Sequence, residues 1–335
     1  MEKKIKISFG IPTRNRAHTI GYALDSIISQ ATEDVEIVIV DGASTDNTEE
    51  VVEQYKQKFP SIQYFWRAEC IGVDRDIMKC VELAKGEYCW LMSDDDCLED
   101  RALTNVLCLL EENSNLSGAT VNYTDYNKDM KFPVSTFPSS NRGVIKSNYL
   151  FRNADECFSN IGLHISFISA QIVKTRLWNN VVADYELEPY MNDWLMVYII
   201  GRMIQREPNW LYIHRKCVRR RIGNDSFIEK VGLYNRQLIA QVAYRDTISG
   251  LFGRKSNVYN KIFYALLVDR MPRSLAVLKA NGISFAFQLK LLTLYTRNYK
   301  QYILYWVKIV PLFFVPNFIF KAVRQLYFKW KSNTN

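Results

Sequence analysis

The stretch Glu87-Tyr88-Cys89-Trp90-Leu91-Met92-Ser93-Asp94-Asp95-Asp96 decides the fold. An apolar run that reads as a buried strand leads directly into three consecutive carboxylates. Like charges side by side at a strand end repel one another and resist desolvation. A cation relieves that conflict. Oxygen-only ligands suit a hard divalent ion, Mg²⁺ or Mn²⁺, which keeps waters and shares itself with substrate phosphates. A solvated acidic turn is the alternative, and the surrounding chain weighs against it.

Upstream of this stretch, short apolar runs alternate with helical periods. Lys6–Ile11 reads as a strand broken by Pro12, and Ile20, Leu24, Ile27 and Ile28 share one helix face. Val35–Val40 is rich in β-branched residues and reads as a strand covered on both faces. Asp46 or Ser44 can cap a helix carrying Val51, Val52 and Tyr55. A strand at Ile62–Trp66 and a helix at Asp74–Ala84 follow, with Gly86 placed to end that helix. Beyond the aspartates, Leu103, Val106, Leu107 and Leu110 mark another helix. Such alternation predicts an α/β fold with a mainly parallel central sheet and helices on both faces. Ligands of such sheets bind at the carboxyl ends of strands, where Asp41 and Asp94–Asp96 fall.

From about 126 to 190 the pattern loosens around Pro133, Pro138 and the turn Ser139-Ser-Asn-Arg-Gly143, as loops over a pocket would. Asn192 then reads as the cap of a helix over Trp194–Ile200, and Trp210–Ile213 as a short strand. A cationic run, Arg215, Lys216, Arg219, Arg220 and Arg221, comes next, and after about 228 the chain reads as helical to its end.

Composition sets the class. A chain of 335 residues, 48% apolar and 23% charged, can bury a large core. Seven cysteines without a C-x-x-C spacing argue against zinc and against a disulfide framework. The start Met1-Glu-Lys-Lys-Ile-Lys-Ile7 has no signal-peptide core, so secretion is not expected. The net charge of +8 is uneven: Arg270–Asn335 carries eleven Lys or Arg and no acid, which leaves −3 on the first 269 residues. A basic end implies an anionic partner. Tyr302–Phe320, the most apolar segment, is long enough for a bilayer but is interrupted by Lys308, Pro311 and Pro316. With Lys300, Lys321, Arg324, Lys329 and Lys331 around it, it fits an interfacial anchor on anionic lipid; a packed helical subdomain or an oligomer contact is the alternative. The basic residues belong to no nucleic-acid module. His18, His164 and His214 form no ligand spacing.

Four segments in order, Ser8–Asn15, Val38–Asp46, Gly86–Asp96 and Asn192-Asp193, resemble the family 2 glycosyltransferases over roughly residues 5–225. Within that family the likeness is nearest to bacterial O-antigen enzymes of the abequosyl- and rhamnosyltransferase kind. The resemblance implies a GT-A nucleotide-diphospho-sugar transferase fold over 1–225, with a nucleotide half to about 125 and an acceptor half after it. Residues 226–335 then form a helical, basic and aromatic membrane-associating extension. It implies Pro12, Thr13, Arg14, Asn15, Asp41 and Arg75 at the nucleoside and Asp193 as the base acting on the acceptor hydroxyl, with inversion at the sugar. The usual Asp-x-Asp-Asp pattern puts Ser93 in the first slot. Asp95 and Asp96 are then the metal candidates for Mn²⁺ or Mg²⁺ and Asp94 or Ser93 faces the ribose, although a register of Asp94-x-Asp96 remains open. Arg219, Arg220 and Arg221 fall where the family meets the diphosphate or a lipid-diphosphate acceptor, since a guanidinium binds phosphate oxygens in pairs.

Each role has a plainer counterpart. Asp41 can turn the chain before Gly42, Arg75 can pair with Asp74 or Asp76, Asp193 can cap a helix, and the arginines can form a solvated edge. The implied partners are a nucleotide diphosphate-sugar, a polyprenyl-diphosphate-linked glycan and an anionic membrane, at the cytoplasmic face of a bacterial inner membrane. A degenerate binding or scaffold protein and a nucleotidyltransferase are the rivals. The latter's Gly-rich phosphate loop and the G-x-G-x-x-G of a dehydrogenase are both absent from the sequence.

Overall fold

The computed structural model describes residues 5–113, 115–134, 145–224 and 226–332. The expected turn at 138–143 lies outside them, as do the side chains of Lys329 and Lys331. Two compact units result, one of residues 1–226 with 247–253, the other of 227–246 with 254–335.

The first unit holds nine strands among the described residues: β1 (Ile7–Thr13), β2 (Val35–Asp41), β3 (Ile62–Trp66), β4 (Tyr88–Leu91), β5 (Cys97–Leu98), β6 (Gly118–Tyr126), β7 (Tyr149–Phe151), β8 (Gln171–Lys174) and β9 (Trp210–Arg221). Seven α-helices alternate with them: α1 (Ile20–Ile28), α2 (Thr48–Lys58), α3 (Val73–Leu83), α4 (Ala102–Glu112), α5 (Ala154–Ile165), α6 (Thr175–Asp184) and α7 (Leu195–Arg206). The strands form one sheet in the order β3-β2-β1-β4-β8-β6-β9-β5, with β7 paired to β9. Pairing is parallel from β3 through β4 and mixed beyond it, where β8 runs antiparallel to both β4 and β6. The result is a mixed α/β sheet whose parallel half is the one the sequence pattern predicts.

Alternation along β2 explains the two helical layers. Ile37 and Ile39 share a buried cluster with Ile20, Leu24 and Ile27 of α1 and Val52 of α2. Val38 and Val40 point the other way and pack with Cys80 and Leu83 of α3. Being buried on both faces is what the unbroken β-branched run encodes.

Three local readings are corrected. β1 runs through Pro12 to Thr13, because its ladder with β4 ends at Gly10↔Leu91 while that with β2 continues to Thr13↔Asp41. The missing N–H of Pro12 therefore falls where the β4 side needs no donor. Gly86 does not cap α3, which ends at Leu83. Its N–H donates to Ser8 Oγ (2.8 Å), and a Cβ there would lie 2.6 Å from the Ser8 backbone nitrogen. The glycine is needed for close approach of chains, not for a turn. The cationic run does not follow a short strand but forms the second half of β9, beyond a bulge at His214–Arg215 where Val121↔Ile213 gives way to Asn122↔Lys216.

The second unit is helical and has its own core, in which Leu266, Met271, Leu275, Leu291, Tyr295, Tyr299, Tyr305 and Ile309 are fully buried. Among the described residues no single helix is long and apolar enough to cross a membrane. Tyr305–Phe314 and Asn317–Leu326 are bent by 95° at the break that holds Pro316.

Candidate functional site

The parallel strands deliver their last residues to one rim. Asp41 ends β2 fully buried, beside Thr13, its register partner on β1. Its Oδ1 accepts the Ser44 N–H (2.7 Å) and its Oδ2 accepts the Tyr64 hydroxyl (2.7 Å). Burial, and then the Asp41 charge, push that phenol far up. The loops after β1 and β2 interlock: Asn15 takes the Thr45 N–H (2.7 Å) and gives its own N–H to Ser44 Oγ (2.8 Å). Arg16 N–H reaches Thr48 Oγ1 (2.9 Å), while Ala17 N–H reaches Asp46 Oδ2 (3.1 Å). Asn15 (φ +54°) and Ala43 (φ +66°) both sit in the left-handed region that non-glycine residues avoid. Strain of this kind persists where surrounding contacts over-determine the backbone. Pro12, Thr13, Arg14 and Asn15 thus line the rim above Asp41, with the Arg14 guanidinium donating to Cys70 Sγ (3.0 Å).

The aspartate turn follows β4 and is buried throughout. Burial, with the neighbouring Asp95 charge, raises the Asp94 carboxyl to about 7 against the pull of Arg16, whose Nε is 3.5 Å from Oδ1. Asp96 is pushed well above the usual range by the same two causes. It uses both oxygens to hold the turn, accepting the Ser169 hydroxyl (2.6 Å) and the Arg221 N–H (2.8 Å). Asp95 accepts the Ser93 hydroxyl (2.6 Å) and the Asn224 amide (3.0 Å). With the Arg16 and Arg221 guanidinium groups at the turn, the Asp94 and Asp96 carboxyls are still raised, and this shortage of positive charge fits a hard divalent cation. Among the described residues no group of three His, Cys, Asp or Glu side chains could hold a metal alone. An ion here would take one or two carboxylates and complete its shell with water and phosphate.

The three arginines diverge. Arg219 turns to the Leu98 carbonyl (3.0 Å) and to Glu99 (3.5 Å). Arg220 pairs with Asp125 (2.7 Å) and lies over the Tyr123 and Phe167 rings. Only Arg221 of the three reaches the aspartate turn, where its Nε donates to the Asp95 carbonyl (2.8 Å). A cavity of about 310 Å³ opens beside it, lined by His18, Thr19, Tyr22, Lys128, Asp129, Lys131, Arg221 and Asn224. Arg221 Nη2 and Thr19 Oγ1 are buried there without a partner among the described residues. The sequence reading missed this pocket. His18 looked ordinary, while Lys128, Lys131 and Asn224 sit in loops whose meeting depends on the parallel pairing of β6 with β9.

The loop before α7 is also corrected. Trp194, not Asn192, occupies the cap position, and Asn192 Oδ1 instead accepts the Trp194 N–H (3.2 Å). Between them Asp193 is left-handed (φ +68°), its N–H donated to Asp74 Oδ2 (2.9 Å). Arg75 pairs with Glu188 (2.9 Å) of this same segment rather than with its neighbours. Asp76 instead pairs with Arg67 (2.6 Å) and packs so close to Gly42 that a Cβ would lie 2.6 Å from its Oδ2. The start of α3 therefore ties Asp193 to the rim that carries Asp41.

Comparison with known proteins agrees with this geometry. The family model "Glycosyl transferase family 2" matches residues 8–171. Abequosyltransferase RfbV of Salmonella typhimurium is 30% identical over 279 residues, covering 79% of this chain and 80% of its own. The GalNAc(5)-diNAcBac-PP-undecaprenol β-1,3-glucosyltransferase of Campylobacter jejuni is 30% identical over 126 residues, 33% of this chain and 41% of its own. The mannosyltransferase PcManGT of Pyrobaculum calidifontis, solved with GDP-Man and Mn²⁺, superposes with a TM-score of 0.55 at 17% identity, covering 98% and 89% of the two chains.

Proposed function

The chain belongs to glycosyl transferase family 2 and is a glycosyltransferase of GT-A fold, and on that premise we propose that it moves a sugar from a nucleotide diphosphate donor to a glycan carried on a polyprenyl diphosphate. The product is a building block of bacterial surface polysaccharide. The observation that carries this reading is the buried aspartate turn flanked by the cationic pocket of Arg221, Lys128 and Lys131. Carboxylates for a cation and cations for phosphates, side by side at a parallel-strand rim, suit a nucleoside diphosphate. The names of the Salmonella and Campylobacter relatives support the polysaccharide and the lipid-linked acceptor.

In this proposal Pro12–Asn15, Asp41 and Arg75 shape the nucleoside site, and Asp94 faces the ribose. Asp95 would hold the ion, while Asp96 anchors the turn through Ser169 and Arg221. Mn²⁺ or Mg²⁺, when bound, supplies charge neutralisation at the leaving diphosphate. Arg221 offers its free Nη2 to a phosphate oxygen. Asp193 accepts the proton of the acceptor hydroxyl as that oxygen bonds to the anomeric carbon; the bond to the nucleoside diphosphate breaks, and the configuration inverts. The catalytic region spans 1–225 together with the 247–253 segment, and the rest of 226–335 forms the extension. Thermal stability tests the donor site: one nucleoside diphosphate together with Mn²⁺ is expected to raise Tm by mass action, more than either alone. Absence of any such synergy across the common nucleotides would sink the donor assignment.

The extension is proposed to rest on the cytoplasmic membrane face. Phe285, Ile303, Val307, Phe314, Phe318 and Leu326 are all more than 60% exposed, and Lys300, Lys308, Lys321 and Arg324 lie among them in sequence. Apolar side chains mixed with cations suit an anionic interface, each cation adding ~1 kcal/mol. The 335-residue protein is expected to co-sediment with phosphatidylglycerol vesicles at low salt and to release as salt rises. Equal binding to neutral phosphatidylcholine would contradict an electrostatic anchor.

A further inference from the structure

We infer that Asp74 is a positioning residue that fixes the backbone of Asp193 in the conformation its chemistry requires; this rests on the reading of Asp193 as the base. Asp193 is a non-glycine residue at φ +68°, a conformation that must be held by contacts. The contact on its own N–H is Asp74 Oδ2, at 2.9 Å. The rest of the segment is tied down separately. Asn192 Nδ2 donates to Thr247 Oγ1 (3.2 Å), and Tyr190 stacks on Tyr198 with ring centroids 3.7 Å apart. The Tyr190 ring also lies so close to Gly250 that a Cβ there would meet it at 2.3 Å. Asp74 is therefore a tie that acts on the strained peptide itself.

A helix-capping explanation of Asp74 does not suffice. Asp76, in the same first turn of α3, already complements the helix dipole and pairs with Arg67. Asp74 is instead buried, with Oδ1 unpartnered among the described residues, beside a second carboxyl of like charge. Burial first, and the Asp193 charge after it, lift its carboxyl to about 7. The carboxyl also faces the backbone of Asn192 and Leu195 on either side of Asp193, so it serves the Asp193 loop rather than its own helix; perturbed carboxyls of this kind gather at functional sites. Because Asp74 is neighbour to Arg75 and Asp76, the helix that meets the nucleotide loops also sets the base.

Steady-state kinetics and donor binding on Asp74→Ala, Asp74→Asn, Asp193→Asn and the Asp74→Ala/Asp193→Asn double variant test this. Asp74→Ala is expected to lower kcat about 10- to 100-fold while nucleoside diphosphate affinity stays near wild type, since a misplaced group costs turnover and not donor binding. Asp74→Asn, whose amide oxygen can accept the same N–H, is expected to recover most of kcat. The double variant is expected to be no slower than Asp193→Asn alone, as groups acting through one another are non-additive. Normal kcat in Asp74→Ala, or an Asp74→Asn as slow as Asp74→Ala while both still bind donor, would overturn the inference. Near-normal turnover of Asp193→Asn would instead overturn the base assignment beneath it.

Discussion

Asp193→Asn is expected to reduce kcat by ~10²–10⁴ while leaving nucleoside diphosphate binding intact. An amide keeps the size and the local hydrogen-bond capacity of the carboxylate but cannot take the acceptor proton. The separation follows from the layout. Asp193 is held by Asp74 from the start of α3, whereas the aspartate turn is held by Ser169, Arg221 and Asn224. The two halves of the site are thus held by different residues, and loss of one carboxyl leaves the other arrangement standing. Isothermal titration with nucleoside diphosphate and Mn²⁺, beside a transfer assay, reads both quantities. Turnover within a few-fold of wild type would remove Asp193 from the base role.

Asp95→Ala is expected to cut kcat/KM by about 10²-fold or more and to abolish the response of donor binding to Mn²⁺. Asp95 is the middle carboxylate, and its charge is the neighbouring charge that raises both Asp94 and Asp96. Removing it relaxes that repulsion, so the fold is expected to tolerate the change better than it tolerates loss of donor affinity. Its own partners, Ser93 and Asn224, are side chains near the rim and can turn to water. A variant that binds donor with unaltered Mn²⁺ dependence would place the ion elsewhere.

How much of this could be seen in the sequence depends on the range of the cause. Strand ends carrying Asp41 and Asp94–Asp96 were legible because one β-branched run or one apolar run fixes a buried strand, and parallel strands share a rim. Pro12 was misjudged because its effect depends on where a neighbouring ladder stops, a fact about β4 rather than about β1. Gly86 looked like a helix stop because glycine has two uses, and only the nearness of Ser8 tells them apart. The half of the sheet beyond β4 was the least legible. Its strands pair across long stretches of chain, and the bulge in β9 re-aims the arginines by a register shift that no residue type announces. Hence Arg219, Arg220 and Arg221 look alike in sequence yet meet three different environments. Asp74 was hidden for a related reason: an aspartate in the first turn of a helix already has an explanation, and the left-handed Asp193 that it holds lies 119 residues away.

The central claim is transfer from a nucleotide diphosphate-sugar to a lipid-linked acceptor, and product analysis tests it most directly. The 335-residue protein would be incubated with a panel of nucleotide sugars, Mn²⁺ and a short-chain polyprenyl-diphosphate glycan, with mass spectrometry of the lipid fraction. The expected result is one donor that adds a single sugar mass to the acceptor, lost on chelation of the metal and lost again in Asp95→Ala. Nucleoside diphosphate released to water with the acceptor unchanged for every donor, or transfer that persists undiminished in chelator, would contradict it.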